Sequence, residues 1–393
     1  ALQEVAIPPS VTNLGSNAFW GCTNLAVVQF HEGLEIIEFS AFEGCKALQE
    51  VAIPSSVTEL EIRAFAHCTN LAKVQFHEGL EIIGGSAFYG CRLLREVAIP
   101  SSVTELGSEV FRGCINLIEV RLNDGLEIIG MGTFIGCMAL HRVTIPSSVT
   151  ELGYYAFSSC GNLASVQFGE GLEIIGNGAF DQCPALRSVT VPSSVTKLGY
   201  GAFGDCINLT EVILLGGERL LNPGFLNRGL LDEERALNKK KLYELNGNDA
   251  FPRCPLTALK ISIPWALPER MERLPRECRL SIEQRLRGLR RLEMTQDGNT
   301  LACFPLIRRS PNFYSIEDTN DETAESLHQA LRLICFHELK ESSILIELAM
   351  WKSSLDENRA RADCRTSVPD PAKSLIMDYC GFMGFLKPAI EGP

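Results

Sequence analysis

The sequence predicts a repeat solenoid, a stack of short parallel strands, followed by a mainly α-helical C-terminal region. Three observations carry this reading. Nine cysteines, Cys22, Cys45, Cys68, Cys91, Cys114, Cys137, Cys160, Cys183 and Cys206, stand at unbroken intervals of 23 residues. A phenylalanine lies three places before each, from Phe19 to Phe203. A leucine column from Leu2 to Leu209 and a valine column from Val5 to Val212 keep the same register. Self-similarity at one fixed period marks stacked units, none of which can bury its apolar face alone.

Each 23-residue turn divides into parts. Within Leu48 to Pro54, Val51 and Ile53 alternate with Glu50 and Ala52, the period of a half-buried strand. Stacked on its neighbours, this stretch is expected to join one continuous parallel sheet. Pro54 ends it, since proline has no N–H to give to a ladder. Ser55 and Ser56 turn the chain, and Val57 to Leu60 makes a second extended stretch on the opposite side. Ala64 to Cys68 closes the coil, read as a tight helical or 3₁₀ turn with Phe65 and Cys68 on its inner face. Coils of a parallel stack lie ~4.8 Å apart, but equivalent side chains point the same way. A disulfide needs Cβ atoms converging to ~3.8 Å, so the cysteine column is expected to be buried free thiols acting as small hydrophobes.

A second period lies over the first. Pro8, Pro54, Pro100, Pro146 and Pro192 fall 46 residues apart, and the coils between them carry Gly33, Gly79, Gly125 and Gly171 at the same turn. These glycines are expected to supply positive φ.

The text from Leu94 to Cys114 reads L-x-x-V-x-I-P-S-S-V-T-x-L-G-x-x-x-F-x-G-C, and this pattern resembles the BspA-like family of leucine-rich repeats. The resemblance covers residues 1–214. It implies a right-handed leucine-rich-repeat superhelix with its parallel β-sheet on the concave side, and the surface-adhesin role known among bacterial members. Leu348-Ala349-Met350-Trp351-Lys352, Cys364-Arg365 and Phe385-Leu386 are similar to the C-terminal segment of microalgal members, although Cys380-Gly381 is displaced from the family spacing.

The register breaks after Leu214, giving three expected regions: a solenoid at 1–214, an insertion with a degenerate terminal repeat at 215–264, and a helical region at 265–393. The insertion holds a candidate helix around Asp232 to Leu245; Ala250 to Cys254 and Ile261 to Pro264 recover repeat phrases. Beyond Pro268, Glu269–Arg273, Glu272–Arg276 and Glu283–Arg287 are i, i+4 pairs of favourable polarity. Apolar stripes predict helices over about Thr323–Lys340 and Ser343–Asn358.

The net charge of −12 sits wholly on the repeats: residues 1–214 hold 22 Asp+Glu and 10 Lys+Arg, and the remainder 26 of each (48−22 and 36−10). An acidic surface repels phosphate backbones, so nucleic acid is not the expected ligand. No apolar run is long enough to span a membrane. The sequence begins in mid-repeat without an initiator Met, which predicts that the natural N-terminus lies upstream and leaves localisation open. The free-thiol column leans to a reducing, intracellular setting, with the cell surface as the alternative.

Candidate chemistry is sparse. His31 and His77 recur two coils, ~10 Å, apart, too far to share a metal with ligands at ~2.1 Å. His337-Glu338 has Glu341 where a zinc motif needs a second histidine. Gly130-Met131-Gly132 lacks the Gly-Lys-Ser/Thr of a phosphate loop. Carboxylates such as Glu59, Glu105 and Glu151 recur every second coil, whereas a catalytic pair is singular and tuned. The reading is a non-enzymatic scaffold without metal or cofactor, its partner a protein, with cell-surface adhesion or glycan binding as the alternative. A partner is expected at the outward positions Glu96, Glu119, Arg121, His141, Arg142 and Gln167, of which Glu119, Arg121, His141 and Arg142 depart from the repeat. Oligomeric state is open.

Overall fold

The structure, a computed structural model, describes residues 2–216, 250–262, 271–289, 291–295, 300–310, 313–316 and eight helical positions between 323 and 337. They fall into two compact units, one built on the coils and one around 271–304 with those helical positions.

The coils form a parallel-strand solenoid. Its aromatic ladder runs without interruption: Phe19, Phe42, Phe65, Phe88, Phe111, Phe134, Phe157, Phe180, Phe203 and Phe251 stack face to face, with ring centroids 4.9–5.6 Å apart. Every ring from Phe42 to Phe203 is fully buried, as are the leucine column from Leu25 and the cysteines from Cys45. Each buried Leu, Ile or Phe contributes ~1.5–3 kcal/mol against water, and only the neighbouring coils provide the covering surface.

The cysteines of the column are free thiols, and each from Cys45 onward has a partner. Cys45 Sγ–H donates to the Phe19 carbonyl at 3.3 Å, Cys68 to Phe42 at 3.2 Å, and the pattern repeats to Cys206 on Phe180 at 3.2 Å. That carbonyl also accepts the N–H three residues on, as Cys22 N to Phe19 O at 3.1 Å. Residues 250–262 repeat the scheme: Cys254 donates to Phe203 at 2.9 Å, and strand Ala258–Ser262 pairs in parallel with Glu211–Leu214.

The turn carrying Phe and Cys differs from the helical or 3₁₀ turn expected. Two residues per coil are left-handed: the columns Asn17 to Gly201 and Gly21 to Asp205 all have φ between 52° and 76°. A right-handed helix cannot pass through such residues. Instead, alternate amides point to the next coil: Arg63 N donates to Gly85 O at 3.0 Å, Phe65 N to Ala87 O at 2.8 Å and His67 N to Tyr89 O at 2.6 Å. Left-handed backbone turns these N–H groups along the stack, where the following coil satisfies them.

The two strand sides also differ from expectation. The continuous ladder is the second one: two-residue strands from Asn13–Leu14 to Lys197–Leu198 form a nine-stranded parallel sheet. Its outward row is Asn13, Ile36, Glu59, Ile82, Glu105, Ile128, Glu151, Ile174 and Lys197 in direct register. The first strands are instead joined in pairs: Glu4–Ala6 with Val27–Gln29, Glu50–Ala52 with Lys73–Gln75, Glu96–Ala98 with Glu119–Arg121, and Arg142–Ile145 with Ser165–Phe168. Each pair is one 46-residue unit, a proline coil followed by a glycine coil. Ile7, Ile53 and Ile99 donate forward to Gln29, Gln75 and Arg121, each at 2.9 Å. By the alternation of a parallel ladder, the next residue would donate backward, and it is the proline. The missing N–H falls at the boundary where pairing lapses.

That boundary is held at the turn. Glu32 accepts from Ser55 Oγ at 3.0 Å and Ser56 N at 3.2 Å, while Ser56 Oγ accepts Gly33 N at 2.9 Å and donates to Leu34 O at 2.7 Å. Glu78 with Ser101 and Glu170 with Ser193 repeat the carboxylate lock at 2.7 and 3.1 Å. Among the described residues Asp124, one methylene shorter, makes no such bond to Ser147. Only Gly33 and Gly79 have the positive φ expected of the four glycines, 107° and 117°. What excludes a side chain at Gly79, Gly125 and Gly171 is the serine carbonyl of the preceding coil; a Cβ on Gly79 would lie 2.6 Å from Ser55 O.

In the second unit, Arg276–Leu286 is an α-helix that follows Pro275 and buries Ile282 and Leu286. Leu292–Met294 pairs antiparallel with the start of strand Thr300–Ser310. Positions 323, 326, 329, 330, 333, 334, 336 and 337 are helical, inside the helix expected from Thr323. The helices expected over 232–245 and 343–358, and the C-terminal phrases from Leu348 onward, lie outside the described residues.

Candidate interaction surface

The first strands turn alternate residues outward, and these decide what a partner meets. Val97, Val120 and Val143 are buried, whereas Glu96, Glu119, Arg121, His141, Arg142 and Gln167 are all exposed. Glu96 and Glu119 face each other in register, a like-charge pair that is unfavourable by itself. Arg121 offsets it: its Nε–H donates to Glu119 Oε1 at 2.8 Å. That hydrogen bond, then the charges of Arg121 and Arg142, hold the Glu119 carboxyl below the usual range. Glu119, with Glu96 adding to it, holds the Arg121 guanidinium more firmly charged. Arg142 stands on the far side of the lapse in pairing between Glu119–Arg121 and Arg142–Ile145. Four of the expected residues therefore form a cluster of two carboxylates and two guanidinium groups, with His141 beside it.

Gln167 belongs elsewhere. It accepts Thr144 Oγ1–H at 3.2 Å and lines a shallow groove at the next lapse in pairing. Ser165, Ser188 and Thr190 line that groove too, with Val166, Phe168 and Pro192. The groove is hydroxyl-rich and carries one carboxylate, Glu170.

Four residues escaped the sequence reading. Leu93, Ile115, Ile118 and Met138, on the turns leading into these strands, are 41–48% exposed. Ile115 and Met138 continue a column that reads Thr23, Lys46, Thr69 and Arg92 in earlier coils, and Ile118 one that reads Ala26, Gln49, Ala72 and Arg95. The criterion that picked out Glu119 and Arg142, departure from the repeat, finds them once it is applied beyond the strands.

The buried thiols are not poised for chemistry. Burial pushes Cys45, Cys114 and Cys160 up to about 12 and holds Cys91, Cys137 and Cys183 well above the ordinary thiol value, so the nucleophilic thiolate is scarce at neutral pH. Among the described residues no group of three or more His, Cys, Asp or Glu could hold a metal ion, and no helix is long and apolar enough to cross a membrane.

The sequence matches the BspA type leucine rich repeat region (six copies) over residues 1–118 and 81–210, more than half of the chain. Similar solved structures include a leucine-rich repeat protein of T. pallidum, 31% identical, with 47% of this chain and 78% of that one covered and a TM-score of 0.37. A leucine rich cell surface protein of Faecalibacterium prausnitzii is 24% identical over 55% and 73%, TM-score 0.35. A leucine-rich repeat protein of Bacteroides ovatus is 21% identical over 63% and 83%, TM-score 0.35. No curated protein matches the sequence. With its 23-residue coils and matched repeat region, the chain belongs to the BspA-type leucine-rich-repeat family.

Proposed function

We propose that the coils are a non-enzymatic scaffold for a protein partner, seated on Glu96, Glu119, Arg121, His141 and Arg142 with Leu93, Ile115, Ile118 and Met138 alongside. The observation that carries this reading is the conjunction of exposed apolar side chains with a balanced charge cluster where both depart from the repeat. Met138 and the two arginines are residue types enriched at protein interfaces, the aliphatic side chains add apolar area to bury, and the carboxylates and guanidinium groups would fix orientation and encounter rate. The acid on the remaining coils disfavours nucleic acid. Affinity capture from the native source tests it, comparing the full chain with Arg121→Glu/Arg142→Glu and with Ile118→Asp/Met138→Asp. Both variants should fold and lose the captured protein; a partner that both retain refutes the site.

A second reading, glycan binding, has one observation in its favour. The groove at Gln167 sets hydroxyl, amide and carboxylate side chains (Ser165, Ser188, Thr190, Gln167 and Glu170) against Val166 and Phe168, a lining suited to sugar hydroxyls. Binding to an oligosaccharide panel that is lost in Gln167→Ala/Thr190→Val favours this reading, and an unresponsive panel removes it.

A further inference from the structure

The outward row of the nine-stranded sheet lies on a different side of each coil from the surface above. From Ile36 to Glu151 it alternates an apolar and an acidic residue: Ile36, Glu59, Ile82, Glu105, Ile128, Glu151. Isoleucine is an unusual residue to leave outward, yet Ile82 is 49% and Ile128 38% exposed. Among the described residues Glu59, Glu105 and Glu151 make no ion pair and no side-chain hydrogen bond. The row thus presents unneutralised carboxylates separated by apolar ridges, and Met131 and Tyr154, also exposed, extend the apolar surface at its edge. Lys197 in the same register closes the acidic run.

From this we infer that the nine-stranded face is a docking track for a basic polyproline-II segment of another protein, one with Arg or Lys at every third residue. Charge supplies the sign and the repeat supplies the ruler. Successive coils lie ~4.8 Å apart, so like residues recur every ~9.6 Å along the stack. A polyproline-II helix returns a side chain to the same face every three residues, ~9.3 Å. Two turns of α-helix take ~10.8 Å, and an extended strand returns to one face every ~6.6 Å. Over the two intervals from Glu59 to Glu151 a polyproline-II ligand drifts by ~0.6 Å, within reach of an ion pair, whereas an α-helix drifts by ~2.4 Å. Between its cations, such a ligand lays proline rings against Ile82 and Ile128. The segment is already extended when free, so little ordering opposes binding. This inference does not depend on the partner site proposed above.

The test uses the full chain and two labelled peptides of equal charge, five repeats of Arg-Pro-Pro and five of Arg-Pro-Pro-Pro, with binding read by fluorescence anisotropy at physiological salt. The three-residue repeat should bind at least about ten-fold more tightly, since the four-residue repeat places successive cations ~12.4 Å apart along its axis. Glu59→Gln/Glu105→Gln/Glu151→Gln should reduce that binding by at least about ten-fold. Glu4→Gln/Glu50→Gln/Glu96→Gln, which removes the same charge from the other strands, should change it by less than about two-fold. Ile82→Ser/Ile128→Ser should weaken binding without altering net charge. Equal affinity for the two peptides, equal loss in the two glutamine triples, or no binding at all would overturn the track.

Discussion

The thiol of Cys114 donates to the carbonyl oxygen of Phe88 in the preceding coil, 3.2 Å away. The bond joins the two side-chain columns by which the repeat is recognised. Cysteine at this place is small enough for the core and polar enough to reach a second lone pair on a buried carbonyl. Cys114→Ala removes both contributions and should cost about 1–3 kcal/mol, read as a lower urea midpoint at unchanged slope. In the wild type, the buried column should resist a thiol reagent until the chain unfolds; prompt labelling of Cys114 under native conditions contradicts its placement.

Phe111 lies between Phe88 and Phe134, with centroids at 5.6 and 5.5 Å, and is fully buried. Phe111→Ala opens a cavity in mid-stack and should destabilise by about 3–5 kcal/mol. Stability in a stacked repeat is a sum over neighbours, so the loss should be felt as a separation of the unfolding transition into two when the remaining halves differ in stability. An unchanged midpoint refutes the inward orientation.

Gly79 and Gly33 occupy the same turn two coils apart and separate two causes. Both have positive φ, but a Cβ on Gly79 would lie 2.6 Å from Ser55 O, whereas on Gly33 it would lie 3.9 Å from Pro9 O. Gly33→Ala meets the backbone cost alone, about 1 kcal/mol; Gly79→Ala must also move the preceding coil and should cost clearly more. Thermal unfolding of the two variants gives the comparison, and equal losses would mean that coil spacing is not fixed at this turn.

The turn locks make the solenoid's stability depend on pH. Hydrogen bonds from Ser55 and Ser101 hold Glu32 and Glu78 below the usual carboxylate range. A depressed folded-state pKa means that the unfolded chain binds more protons in this window, so the contribution is present above the unfolded value and is lost as pH falls through the folded one. Relative to the wild type, Glu32→Gln/Glu78→Gln should be less stable at pH 7, and the gap should close below about pH 4. A gap that persists unchanged at pH 3 would show that the locks do not act through ionised carboxylates.

Much of this was legible because a repeated side chain states its environment many times over. The inward Leu, Val, Phe and Cys columns, the free thiols and the two extended stretches per coil follow from periodicity alone. The backbone is where reading the sequence falls short. Arg63, Ser86, Glu109 and Tyr155 are left-handed, and nothing in those residue types announces it, because the conformation is imposed by amides that must reach the next coil. The pairing of the first strands was hidden for the opposite reason. The proline marks it plainly, but its direction of failure shows only when Ile53 is seen donating forward. At the interaction surface, strand departures such as Glu119 and Arg142 were visible, whereas Ile115 and Met138 sit in turns, where variation is ordinarily discounted.

Each coil is closed by its successor, with Phe rings stacked inside and their amides bonded forward. Native-state hydrogen exchange addresses it residue by residue. Phe42, Phe65, Phe88 and Phe111 donate their N–H groups to Ala64, Ala87, Val110 and Thr133 at 2.8–2.9 Å. These four amides should exchange only through opening of several coils, with protection approaching the global stability. Exchange of the Phe88 or Phe111 amide at the rate of an exposed loop would contradict it.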